Sequence, residues 1–316
     1  MHQLTGLDAS FLYMETANAP MHISGLAIYD QSTAPNGKVR FKDVIAHFNE
    51  RIRPIPTMTR RLVEVPFALD HPYWVSDGNF DPEFHVRHIA LPKPGDWRQL
   101  CILISRLHAR PLDRSRPLWE VYIIEGLDKV EGVPEGSFAV FSKTHHAAID
   151  GSSGAEITAA THDLTPDYTA PRTPAVVRVD SQPSRSELIL RAQINNIRKP
   201  FNFISVARNT VPGMAKAWNQ LRKGELHNVK DVPRTRFNGK VSPHRVFDAV
   251  NLDLAEIKAI KNSVPGATVN DAASTIVGGA LRKYLEHHNE LPEESLAAMA
   301  PVNVRTEDEK GTGGNI

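Results

Sequence analysis

Residues 136–154, GSFAVFSKTHHAAIDGSSG, constrain the fold more than any other stretch of the chain. Its first half carries Phe138, Val140 and Phe141 in an extended-type pattern and reads as a central strand over 136–146. Asp150 and Gly151 then break the extension, and the small residues after them can open a helix. A strand passing through a tight turn into a helix is the building unit of a layered α/β protein. Here the turn holds two adjacent histidines, His145 and His146, with Asp150 four residues after the second. Small residues on both sides let backbone approach closely at that point.

Four chemistries could use this arrangement. The rings could be structural, with their nitrogens satisfied by backbone. A metal site needs a third ligand, and the sequence offers neither an HExxH pattern nor a cysteine pair, so no metal is expected. A Ser–His–Asp system would draw on Ser152 or Ser153, but no GxSxG elbow occurs. General-base catalysis without a covalent intermediate needs one imidazole, held in one tautomer and placed at a cleft. A strand end leading into an Asp–Gly turn meets that need.

The rest of the chain supports an α/β reading. Residues 21–30 and 116–127 read as strands. Residues 41–52 place Val44, Ile45, Phe48 and Ile52 at helical spacing, and residues 96–110 read as a helix with Asp96 as N-cap. Prolines 166, 171, 174 and 183 mark a linker. Residues 185–223 read as a basic helical connector, with eight cationic side chains against Glu187 and with Leu190, Ile194, Ile197 and Phe201 on one face. That pattern suits a solvated connector or a lipid surface. Beyond it, 247–264 reads as strand then helix. Residues 268–288 form the clearest helix, with Thr268 and Asp271 as its start signature and an apolar stripe of Ala273, Ile276, Val277, Ala280, Leu281, Tyr284 and Leu285. The expected domains are therefore 1–165, a connector at 166–232, and the start of a second domain at 233–316.

Composition removes several functional classes. The 316 residues carry 37 Lys and Arg against 36 Asp and Glu, for a net charge of +1, so no nucleic-acid partner is expected. Cys101 is the single cysteine, set in an apolar run, which points to a buried thiol and a reducing, cytoplasmic setting. No apolar run approaches the roughly 20 residues that span a bilayer. The closing Gly-Gly-Asn-Ile reads as a loop about to enter another element, as in a truncated chain.

The string His145-His146-Ala147-Ala148-Ile149-Asp150-Gly151 resembles the HHxxxDG motif of CoA-dependent acyltransferases. Further stretches resemble the bacterial wax ester synthase/diacylglycerol acyltransferase branch: LDASFLYMETANAPMHISGLAIYD at 7–30, Pro117-Leu118-Trp119 as its PLW motif, Asn270-Asp271 as its ND motif, PRTRFNG at 233–239 and PVNVR at 301–305. The resemblance implies a two-domain α/β fold like that of chloramphenicol acetyltransferase, with the second domain incomplete here. It implies acyl transfer from acyl-CoA, as co-substrate and with no bound cofactor, to a long-chain alcohol or diacylglycerol. His146 would be the base and His145 its support. Asp150 would shape the loop, with Arg236 or Arg305 as its partner, and Gly151 would give close approach. Pro117–Trp119 would pack the domain, and Asn270 would cap its helix or donate toward an oxyanion. The implied setting is the bacterial cytoplasm, peripheral to membrane or lipid inclusions through 185–223. The alternatives are a condensation-type amide former and a non-catalytic lipid-binding homologue.

Overall fold

A computed structural model describes residues 1–149, 151–165, 181–198, 218–219, 222–223 and 232–298. The expectations placed on Asp150, Pro166, Pro171, Pro174, Phe201, PVNVR with Arg305, and the closing Gly-Gly-Asn-Ile fall outside the described residues. The chain divides into two compact units. The first takes in the described residues up to 198 together with Ser242–Phe247, and the second includes 232–241 and 248–298.

In chain order the first unit contains β1 (His2–Gln3), α1 (Gly6–Met14), β2 (His22–Tyr29), α2 (Phe41–Ile52), α3 (Pro56–Thr59), β3 (Arg60–Val63) and β4 (Tyr73–Ser76). It continues through α4 (Pro82–His85), β5 (Val86–Ala90), α5 (Trp97–Ala109), β6 (Trp119–Glu125), β7 (Phe138–His145), α6 (Gly151–Thr161) and a helix at 185–198, α7. One sheet has the order β2-β7-β6-β5, antiparallel except for the β5–β6 pair. Parallel neighbours need a crossover connection, and α5 supplies it. The helix starts where expected: Asp96 accepts from the Gln99 backbone, and the Gln99 side chain reaches back in a capping box. Gly95 just before it has φ 74°, and a Cβ there would lie 2.0 Å from the Gly126 carbonyl oxygen, so only glycine brings α5 this close to the end of β6.

The sheet is covered on both faces, which is why β6 can bury nearly every side chain. On one face Leu100, Ile104 and Leu107 of α5 pack on Tyr122, Ile124, Ala139 and Phe141, and Cys101 is buried as expected. On the other, Ile52 and Met58 meet Trp119, Val121 and Ile123, joined by Phe138, Val140 and Ile157.

A second sheet, β1-β4-β3, packs against α7 through Leu188 and Ala192 on Val65, Tyr73 and Val75. The Asn195 amide donates to Asp70 Oδ2 at 2.8 Å and Gln3 Oε1 at 3.1 Å. The stripe read from sequence on this helix is not the docked face: Leu190, Ile194 and Ile197 are 58%, 41% and 70% exposed. Small Ala192 allows close approach to the sheet, and it is that geometry, rather than summed hydrophobicity, that selects the buried side. Residues 185–198 are therefore docked along one face.

In the second unit, Asp253 caps α8 (Leu254–Asn262), and Thr268 with Asp271 forms the expected capping box of α9 (Val269–His287). Asn270 is the second helical residue, so the cap is Thr268 and not Asn270. The strand expected at the start of 247–264 is not formed. A strand needs a neighbour to take its N–H and C=O groups, and no strand is described in this unit. Of the α9 stripe, Leu285 is buried while Ile276, Val277 and Tyr284 are exposed. Arg236 donates to both carboxylate oxygens of Glu290 at 2.8 Å and to the Tyr284 hydroxyl at 3.1 Å.

Candidate active site

β7 delivers the two histidines by alternation. Ala139, Phe141, Lys143 and His145 point to the α5 side, and the ladder to β2 sets His22 opposite His145. The His145 amide donates to the Leu118 carbonyl at 3.0 Å, and the His146 amide to the Met21 carbonyl at 2.8 Å. Ala148 then donates to the His145 carbonyl at 2.9 Å, closing the turn before Gly151 opens α6. Ala147 and Ala148 are small because the turn lies against Ala9, Leu12 and Leu118, where larger side chains would overpack.

The PLW segment is therefore part of the site's scaffold. Leu118 is fully buried and its carbonyl holds the His145 backbone. Trp119 is buried, donates from Nε1 to the Met58 carbonyl at 2.8 Å and stacks on His85. Pro117 bridges to Arg61 of the smaller sheet.

The histidines occupy different environments. The His145 ring is 1% exposed. Its Nδ1 accepts the Ala147 amide hydrogen at 3.0 Å, which assigns the neutral-ring proton to Nε2. Nε2 faces Glu15 Oε2 at 3.6 Å, too long for a hydrogen bond, and has no hydrogen-bond partner among the described residues. Burial pushes this imidazole down to about 4, against a smaller opposing pull from Glu15. Burial pushes the Glu15 carboxyl up, but the Arg114 hydrogen bond and the charges of His145 and Arg114 bring it below its ordinary value. Arg114 donates to Glu15 Oε2 from Nη2 at 2.5 Å and Nε at 3.0 Å, and to the Leu12 carbonyl at 2.9 Å. Glu15 Oε1 in turn accepts the Met21 amide at 3.2 Å. Met21 thus ties Glu15 to the same loop that holds His146.

His146 is half-buried, with its ring stacked on Phe11 at 4.9 Å and 17°. Burial lowers its pKa below 6.5. The imidazole is therefore neutral near pH 7, the form that accepts a proton. Among the described residues no group of three His, Cys, Asp or Glu side chains is placed to hold a metal ion.

Several charged residues around the turn escaped the sequence reading. Glu15 lies within the 7–30 stretch and Arg114 three residues before Pro117, but their pairing joins segments 99 residues apart. His22 donates from Nε2 to the His108 carbonyl at 2.7 Å, and its imidazole is lowered to about 4 by burial and by the charge of Lys143. Lys143 was legible in principle, since strand alternation turns it inward with Phe141 and His145.

The sequence matches the family described as the wax ester synthase/diacylglycerol acyltransferase catalytic domain over residues 4–273. The chain belongs to this family. It is 33% identical over 313 residues to MT1809 of Mycobacterium tuberculosis (strain CDC 1551 / Oshkosh), a protein named as a diacylglycerol O-acyltransferase, covering 98% of this chain and 60% of that one. It is also 33% identical over 316 residues to Tgs2 of Mycobacterium tuberculosis (strain ATCC 25618 / H37Rv), which bears the same name, covering 98% and 66%. Among solved structures, the wax ester synthase/diacylglycerol acyltransferase from Marinobacter aquaeolei VT8 superposes with a TM-score of 0.59 at 28% identity, over 92% of this chain and 63% of that one. The resemblance read from the motifs and the α/β fold class are thereby confirmed. The chain spans about 60% of the length of the first of these relatives.

Proposed function

We propose that this wax ester synthase/diacylglycerol acyltransferase chain carries the proton-transfer centre of an acyl-CoA-dependent O-acyltransferase, with His146 as general base. The observation that carries the reading is the contrast within the doublet: His145 is sealed and tied to the turn, while His146 is half-buried and neutral near pH 7. The His146 imidazole takes the proton of an acceptor hydroxyl, of a long-chain alcohol or a diacylglycerol. The oxygen attacks the thioester carbonyl, the C–S bond breaks, and the imidazolium returns its proton to the departing thiolate, giving ester and CoA thiol without an acyl-enzyme. His145, Glu15 and Arg114 act by holding the turn. Thiol release from palmitoyl-CoA with hexadecanol or with a diacylglycerol tests this. His146→Ala is expected to lower turnover ~10²–10⁴-fold with an unchanged circular-dichroism spectrum and melting temperature. Near-normal turnover in that variant overturns the role.

The exposed apolar side of α7 supports a peripheral lipid contact. Leu190, Ile194 and Ile197 are flanked there by Arg191 and Arg198, the pattern of a helix lying in a headgroup region. Among the described residues no helix is long and apolar enough to cross a membrane. Co-sedimentation with vesicles containing anionic phospholipid is expected at low salt and reduced at high salt. Ile194→Glu is expected to weaken it, and no binding at low salt overturns the contact.

A further inference from the structure

The outer face of α5 carries a second candidate site. Arg98, Ile102 and Arg106 are spaced four residues apart and form one ridge, with the two guanidinium-bearing positions about 12 Å apart along the helix axis. Segment Ser242–Phe247 runs beside this ridge, and between them lies a groove of about 390 Å³. That is the size of a site for one small molecule. Ile102 and Phe247 give it an apolar lining, and Arg98, Arg106, His244 and Arg245 give it nitrogen donors. Among the described residues no carboxylate lines it.

Arg98 and Arg106 are exposed and make no ion pair or side-chain hydrogen bond among the described residues. Paired surface arginines gain little from a further anion, whereas these two keep their donors free for one. Arg245 is fixed instead. Its Nη1 donates to the Ser242 and His244 carbonyls at 2.6 and 2.9 Å, and its Nη2 donates to the Asn18 carbonyl. Its charge is thereby held at the groove wall.

The groove is linked to the histidine turn by two routes. Ala109 lines its end, and the carbonyl of the preceding residue, His108, accepts from His22, the ladder partner of His145. Asn18, gripped by Arg245, lies three residues before Met21, whose carbonyl holds the His146 amide. A ligand combining several phosphates with a flat ring suits this lining, because guanidinium planes pair with phosphate oxygens and stack on rings.

We propose that this groove binds the phosphorylated nucleotide end of the thioester donor, with Arg98 and Arg106 on its phosphates and Phe247 beneath its base. The proposal rests on the acyl-CoA reading above for the identity of the donor. The groove itself is tested without turnover. Calorimetry of CoA and of adenosine 3′,5′-bisphosphate against the chain is expected to show binding that weakens with salt. The Arg98→Ala/Arg106→Ala double variant is expected to weaken both ligands ~10-fold or more. In turnover, the same variant is expected to lower kcat/KM for palmitoyl-CoA relative to palmitoyl-pantetheine, which lacks the nucleotide, by a similar factor.

Unchanged affinity for adenosine 3′,5′-bisphosphate in the double variant overturns the proposal. So does an equal loss with both thioesters, which would mark a structural effect. Loss of binding to anionic phospholipid vesicles with CoA affinity intact would assign the arginines to a lipid surface and also overturn it. Arginine-dependent CoA binding without any thioester turnover would instead keep the groove and remove the acyltransferase reading.

Discussion

His145 and His146 are buried to different extents, and on the proposal above that difference divides their work. His145 has its Nδ1 occupied by a backbone amide and its Nε2 buried and turned inward toward Glu15, so neither nitrogen faces outward to a substrate. His146 is bracketed by a ring stack with Phe11 and a backbone bond to Met21, which fix its position while burial keeps it in the base form. If His146 is the base, the acid limb of kcat/KM follows its titration. Its pKa lies below 6.5, so activity is expected to persist as pH falls through 6.5 and to fade only at lower pH. Phe11→Ala, which opens the ring to water, is expected to move that limb upward toward 6.5. A limb at or above 6.5 in the parent, or one that Phe11→Ala leaves in place, contradicts the assignment. Pairing the shift with an unaltered melting temperature separates a tuned imidazole from a disturbed fold.

At the scale of elements, α5 and β7 are joined by a buried cation. Lys143 is fully buried and donates from Nζ to the Leu107 and Arg110 carbonyls at 3.0 and 2.6 Å, with Glu120 Oε2 at 3.6 Å. The last carbonyls of a helix have no partner within it, so this ammonium both completes the end of α5 and binds it to the strand carrying His145. Lys143→Met is expected to cost about 3–5 kcal/mol, because it leaves Glu120 short of a partner and the carbonyls unsatisfied. Urea unfolding measures the loss, and adding Glu120→Gln is expected to recover part of it. A neutral Lys143→Met would show that the tie contributes nothing. The inward turn of Lys143 follows from strand alternation, but its partners on α5 were not readable from local pattern. The helix over 41–52 was, because its apolar spacing is a property of the segment itself, and so were the caps at Asp96 and Thr268. The doublet and its turn were readable for the same reason. Glu15 with Arg114, and Lys143 with α5, depend on which distant segments meet. The stripes on α7 and α9 failed for a related cause: periodicity marks an apolar side without saying what covers it.

Across the whole molecule, the near balance of 37 basic and 36 acidic residues means that overall charge does little to oppose folding near neutral pH. The sensitive points are instead the imidazoles enclosed around β2 and β7. His22 and His145 are both lowered to about 4 in the folded chain, against 6.5 when exposed. Between those values the unfolded chain binds protons that the folded chain excludes. Their contribution is therefore complete above pH 6.5 and is lost progressively as pH falls toward 4, with a slope of up to about 1.4 kcal/mol per pH unit for each ring. Glu15, lowered below 4.5, adds its own loss only at the acid end of that range and beyond. Urea denaturation at a series of pH values from about 7.5 to 4.5 should show stability falling most steeply below 6.5. His22→Gln should flatten the curve by one ring's share while lowering stability at pH 7 through the weakened bond to the His108 carbonyl. A profile that stays level from pH 6.5 to 5 would mean that both rings are reached by water and protonated in the folded state. That result would remove the enclosed setting on which the proposed division of labour between His145 and His146 depends.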